Sequence, residues 1–172
     1  MNNYWIKTFR LFFVIILAAF ISSSCKKEDE PVVEKSPATY AEIQLKHIKA
    51  LDAKMSTDKM VASDANGLVF KKGDVFVYKT GEGHYGKFEI LNIDQNASYK
   101  LTIKITNYAD DGSILLSTNS LDIRGTYLCD LDIVIETGGT STDDFHWNRL
   151  TLTNTSFDPK NGAKFAKYTF SK

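Results

Sequence analysis

Three histidines, two closely spaced aspartates, a glycine-rich hexapeptide and two cysteines are the groups in this 172-residue chain whose types and spacing could do chemistry. "GEGHYG" places Gly81, Gly83 and Gly86 in a Gly-x-Gly-x-x-Gly pattern. A dinucleotide site needs that pattern to enter a helix, whose N-terminus faces the pyrophosphate. Here it leads into "KFEILNI", a strand-like run, so it reads as a hairpin turn. His47 falls in a helical stretch, His84 at the hairpin tip, and His146 in "STDDFHWNRL" beside Asp143, Asp144 and Trp147. No pair of them has metal-ligand spacing, and a zinc centre needs three or four converging ligands. The expectation is no metal and no cofactor. Asp130-Leu131-Asp132 would put two carboxylates on one face of a strand, pointing into water. Calcium is a conceivable use for such oxygen donors. An acid/base pair lacks a companion nucleophile, so no catalytic residue is assigned and the chain is not expected to be an enzyme. Trp147 follows the loop "TGGTSTDD". It can either stack on a flat ligand at the surface or anchor the core.

Cys25 raises a different chemistry. Before it, Lys7 and Arg10 supply positive charge, no acid occurs, and Leu11 to Ile21 forms an apolar run of 11 residues. A bilayer-spanning helix needs about 20. A basic start, a short apolar run and small residues together form a secretory signal. Ser22-Ser23-Ser24-Cys25 ends it in a way that resembles a bacterial lipoprotein signal. That resemblance implies cleavage before Cys25, a diacylglycerol on its thiol and an acyl chain such as palmitate on its amine. "KKEDE" follows, and Lys27-Glu28-Asp29 is similar to the export signal of Bacteroidetes lipoproteins, implying the outer face of the outer membrane. The alternative is an ordinary cleaved signal with Cys25 a free thiol.

Without residues 1–24 the chain carries 19 basic and 21 acidic side chains, a net −2. A nucleic-acid binder would show a basic surplus, so that partner class is excluded. With Cys25 lipidated, Cys129 has no partner in the chain for a disulfide. Its apolar context, "TYLCDLDIVIE", suits a packed small hydrophobe.

The elements that must position these groups come next. Residues 26–39 hold two of the three prolines and read as a charged linker. Residues 40–172 then suffice for a single β-rich domain. Thr39-Tyr40-Ala41-Glu42 matches a capping box, and Tyr40, Ile43, Ile48, Leu51 and Met55 share one face, predicting a helix from about 39 to 55. Leu45 falls off that stripe. The period then changes to two. In "SYKLTIKIT", Tyr99, Leu101, Ile103 and Ile105 alternate with polar residues. Residues 74–79 are apolar on both sides, as a central strand would be. Residues 85–93, 113–123, 128–136, 145–153 and 163–170 read as further strands. Turn clusters at 81–83, 94–96, 110–112 and 158–162 separate the strands. The fold class expected is mostly β, an antiparallel sandwich or barrel with one N-terminal α-helix.

"YKTGEGHYGKFEI" (78–90) also resembles a hairpin of haem-scavenging Bacteroidetes surface lipoproteins. The matching positions are Lys79, Thr80, Glu82, Gly83, Tyr85, Gly86 and Lys87, with Asp111-Gly112 at a later turn. The likeness covers about a quarter of the chain. It implies a β-rich lipoprotein domain and transfers no haem-ligand residue.

The functional expectation is a non-enzymatic, surface-exposed outer-membrane lipoprotein whose β domain binds a small molecule, glycan or haem-like ligand. His84, Tyr85, His146 and Trp147 are the candidate contacts. The alternative is an accessory lipoprotein docking on an outer-membrane protein complex. The anchor is directly testable. Mass spectrometry is expected to find the mature chain starting at an acylated Cys25, and Cys25→Ser should move the protein out of the membrane fraction. An unmodified thiol would refute it.

Overall fold

In a computed structural model, the structure describes residues 36–170. Cys25, the signal segment and most of the linker lie outside them. Eleven strands build the domain: β1 (Met60–Asp64), β2 (Gly67–Leu68), β3 (Val75–Lys79), β4 (Tyr85–Asp94), β5 (Lys100–Tyr108), β6 (Ile114–Ile123), β7 (Tyr127–Asp130), β8 (Ile135–Thr137), β9 (Phe145–Arg149), β10 (Thr155–Pro159) and β11 (Lys164–Tyr168). They pair antiparallel into two sheets, ordered β2-β1-β10-β9-β7-β8 and β11-β3-β4-β5-β6. These sheets form a β-sandwich, and the described strands do not close into a barrel. No helix among the described residues is long and apolar enough to cross a membrane.

Alternation explains the layering. On β3, Phe76 and Tyr78 face the other sheet, while Val75 and Val77 face the opposite side. All four are buried, which is why "VFVYK" reads as apolar on both sides. Between the sheets, aromatic rings fill the core. Phe145 and Phe157 stack at 4.3 Å, and Phe165 meets Phe157 edge-on at 4.7 Å. Aromatic pairs at such distances add attraction beyond burial. Cys129 is buried in the same cluster as a free thiol. Burial pushes its pKa well up, so it packs and does not react.

The outer face of the five-stranded sheet is covered by the N-terminal segment. The only α-helix among the described residues, α1 (Leu45–Lys49), is far shorter than the predicted 39–55, and a 3₁₀ turn occupies Asp52–Lys54. The tertiary fold overrides the local capping signal here. Lys87 lies on this face, opposite Val77 and Thr106 on the neighbouring strands. Its ammonium donates to the carbonyls of Tyr40 and Ile43, both at 2.6 Å. The Tyr108 hydroxyl also donates to the Ile43 carbonyl, at 2.7 Å. Those carbonyls are directed to the sheet and do not propagate a helix. Instead of capping at Thr39, the Glu42 carboxylate accepts from the Ala38 N–H at 2.8 Å. The working capping box is Gln44 with His47, and Leu45, the residue off the predicted stripe, is buried with Ile48.

Other boundaries also differ. The predicted strand 128–136 is broken: β7 ends at Asp130, a turn follows, and β8 begins at Ile135. Asp130 Oδ1 accepts from the N–H groups of Asp132 and Ile133, an aspartate turn that stops the strand. The strand at 145–153 ends at Arg149. Strands β1, β2 and β10 were not anticipated. Exposed Val61 and buried Ser63 spoil the alternation of β1. The β10 strand runs through Pro159 into the expected turn cluster.

Lys87 makes the stability of this face depend on pH. Burial lowers its pKa from 10.5 to about 8, with Lys104 acting in the same direction. Between those values the unfolded chain holds a proton that the folded chain lacks, so stability rises with pH. Above about pH 10, Tyr40, Tyr78 and Tyr108 oppose the trend, because burial holds their phenols protonated. In urea unfolding, the stability difference between wild type and Lys87→Met is expected to shift by about 2 kcal/mol in favour of the wild type between pH 8 and pH 10.

Candidate functional site

Two polar features stand out, one at an end of the sandwich and one beside α1. The first is built from three chain reversals. In the β3–β4 hairpin, the Thr80 N–H donates to the His84 carbonyl at 2.8 Å, and Gly83 adopts φ +101°. The glycine-rich hexapeptide is therefore a hairpin, as its context implied. Gly86 is needed for packing: a Cβ there would overlap the Tyr78 hydroxyl and Asn107 Oδ1, which hydrogen-bond each other. The second reversal is the β7–β8 turn, where Val134 takes φ +56°, a conformation rare for a β-branched residue. The third is the segment entering β9, with Asp143 and Asp144.

Asp144 joins the three. Its Oδ1 accepts from the Gly81 N–H at 3.0 Å, and its Oδ2 from the Leu131 N–H at 2.8 Å. One carboxylate thus ties a hairpin of one sheet to a turn of the other. Asp143 performs a local version, accepting from the Thr137 hydroxyl and the Thr140 N–H. Burial pushes the Asp144 pKa up to about 7. The two backbone donors pull against that, while Asp132 and Asp130 add to it. Asp130, Asp132 and Asp144 can bring one oxygen each within 4.8 Å of one another, and Glu82, His84 and Asp132 form an overlapping outer group. His84 Nδ1 meets Asp132 Oδ1 at 2.8 Å. That hydrogen bond is the main reason the His84 pKa is raised. Asp130 and Asp132 therefore do not both point into water from one strand face. Asp130 is buried, and Asp132 lies in the turn.

The four candidate contacts do not converge. His84 is exposed at the hairpin tip. Tyr85 is half-buried, its ring beneath the ammonium groups of Lys49 and Lys79. His146 lies in β9, not in a loop, between Leu128 and Asp158 of the flanking strands. Trp147 is 0 % exposed, and its Nε1 donates to the Tyr99 carbonyl at 2.6 Å. It anchors the core and offers no face to a ligand. Asp144 was missed as a site residue, while Asp130 was singled out beside Asp132 but placed in water. Two acids just ahead of an aromatic strand hint at a buried clamp, but only the fold shows what they hold.

The second feature is an open groove of about 700 Å³ between α1 and the β5–β6 turn. Gln44, Lys49, Tyr108, Asp110, Ser113 and Ile114 are among its lining residues. The turn is fixed from within: Asp111 Oδ1 accepts from the Ser113 N–H at 2.9 Å and from its hydroxyl at 2.7 Å. Those bonds lower the Asp111 pKa. None of His84, Tyr85, His146 and Trp147 lines this groove.

The clamp and the exposed pair are expected to separate in a stability measurement. Asp144→Ala leaves two backbone N–H groups without an acceptor and should cost about 3 kcal/mol in urea unfolding. His84→Ala removes a partly exposed pair and should cost under about 1 kcal/mol. No protein-family model matches the chain, and no curated protein or solved structure matches it significantly.

Proposed function

We propose that this chain is a non-enzymatic, lipid-anchored surface protein of the outer membrane whose β-sandwich binds a neutral glycan in the groove between α1 and the β5–β6 turn. One observation carries the reading. The groove, about 700 Å³, mixes acid, base, amide and hydroxyl groups along an open wall, with Ile114 beside them. Its volume falls within the usual range of ligand sites. Neighbouring sugar hydroxyls can donate to a carboxylate such as Asp110 and accept from an ammonium such as Lys49, while the C–H face of a sugar ring packs on an apolar side chain. Haem fits less well, since no histidine, methionine or cysteine is among the groove's lining residues.

Docking on an outer-membrane protein complex is the second reading, and a different observation favours it. Ile114, Leu115 and Leu116 are 62 %, 55 % and 37 % exposed in succession on β6, the edge strand of its sheet. An apolar run on an edge left unpaired among the described residues suits a protein partner that adds a strand or covers the patch.

The experiment is a glycan array followed by calorimetry on the best binder. The expected result is saturable binding that falls at least about tenfold in Lys49→Ala and Asp110→Ala, with the fold intact by circular dichroism. Binding that ignores both substitutions refutes the groove as the site. No glycan binding, together with co-extraction of an outer-membrane protein that Leu115→Glu abolishes, establishes docking in its place.

A further inference from the structure

Asp132 has one oxygen too many for its partners. Its Oδ1 is met by His84 on the solvent side, where the His84 side chain is 44 % exposed. The Asp132 side chain itself is only 9 % exposed, and its Oδ2 is enclosed without a hydrogen-bond partner among the described residues. A buried carboxylate oxygen left unpaired is costly, and native structures normally satisfy such atoms with protein, water or an ion. Asp132 shares a cluster with Asp130, 3 % exposed, and Asp144, 0 % exposed.

The supporting bonds leave these oxygens usable. Asp130 spends Oδ1 on the N–H groups of Asp132 and Ile133. Asp144 takes one N–H on each oxygen, which leaves each a further lone pair. Asp130 and Asp144 are thus oriented by backbone donors and Asp132 by the His84 ring, as metal-ligating carboxylates commonly are held by outer partners. Each contributes an oxygen within 4.8 Å of the others, a span no wider than two oxygens on opposite sides of one Ca²⁺. Mg²⁺ demands near-ideal octahedral geometry and gives up its waters reluctantly, which suits an irregular, loop-built cluster less.

We infer that Asp130, Asp132 and Asp144 form a binding site for a hard divalent cation of the Ca²⁺ type, seated between the β7–β8 turn and the segment entering β9. The orphaned Asp132 Oδ2 supplies the missing contact, and water completes the coordination. His84 braces Asp132 from outside and is not a ligand. The ion would join the β7–β8 turn to the segment entering β9, beside the hairpin that Asp144 already holds through Gly81, so its role is to stiffen this end of the sandwich. None of its three ligands lines the groove beside α1, so the inference does not depend on the glycan reading.

The test uses the full chain stripped with EDTA and titrated with CaCl₂, with MgCl₂ and ZnCl₂ as parallel arms. One Ca²⁺ is expected to bind per chain with a Kd of about 10⁻⁴–10⁻³ M, as in extracellular calcium modules. Near saturation Tm should rise by about 5–10 °C. Asp132→Asn is the decisive variant, because no backbone N–H depends on that side chain among the described bonds. It should fold normally and weaken Ca²⁺ at least about tenfold, while His84→Ala retains binding. Absence of Ca²⁺ binding, or Ca²⁺ binding untouched by Asp132→Asn, overturns the inference. Binding of Zn²⁺ alone, lost in His84→Ala, also overturns it in favour of the outer Glu82–His84–Asp132 group.

Discussion

A single buried carboxylate governs one end of this molecule. Asp144 accepts the Gly81 N–H with one oxygen and the Leu131 N–H with the other. Its own backbone N–H donates to Cys129, and its carbonyl accepts from Lys160. Four chain segments therefore meet at one residue. Hydrogen bonds to a charged acceptor in low dielectric are strong, and leaving either donor unmade would strand a buried N–H. The arrangement also concentrates negative charge, since the same reversals carry Asp130 and Asp132. Stability and a potential cation site thus arise from the same constraint.

The opposite face of the five-stranded sheet obeys a different constraint. A sheet with a strand such as β3, apolar on both sides, must be covered twice. The second layer here is a short helix and its approach turn, not another sheet. Lys87 makes this possible by joining the sheet to the Tyr40 and Ile43 carbonyls, with its ammonium 4.3 Å from the Tyr40 ring centre. A buried lysine is favourable only when its donors and charge are met, and the two carbonyls and the aromatic face meet them. Fixing this segment against β4 and β5 leaves an open groove where α1 passes the β5–β6 turn. The groove is thus a by-product of how the sheet is covered.

Strand β5 was legible because its side chains alternate, and β3, β4 and β6 because apolar runs lie beside recognisable turns. "GEGHYG" was read correctly as a hairpin because its context was a strand. Elements whose local pattern conflicts with tertiary demands were read poorly. The helix was drawn too long because Thr39 and Glu42 imitate a cap that Lys87 and Tyr108 override. The strand after Leu128 was drawn unbroken because Asp130, Leu131 and Asp132 alternate correctly while the Asp130 side chain turns the chain. Trp147 was open to two readings that composition cannot separate; its Nε1 bond to the Tyr99 carbonyl places it in the core.

Sequence alone determined the composition of the layers: β-rich, antiparallel, turn-punctuated, with Cys129 in an apolar context that suits burial. It did so because alternation and turn chemistry are local properties of the backbone. Only the tertiary structure decided which polar groups meet. His84 and Asp132 are 48 positions apart in the chain, and Asp144 and Gly81 are 63 apart. Their contact depends on strand order and on where each strand stops. Those are long-range consequences of burying two sheets against each other, and no window of the sequence contains them.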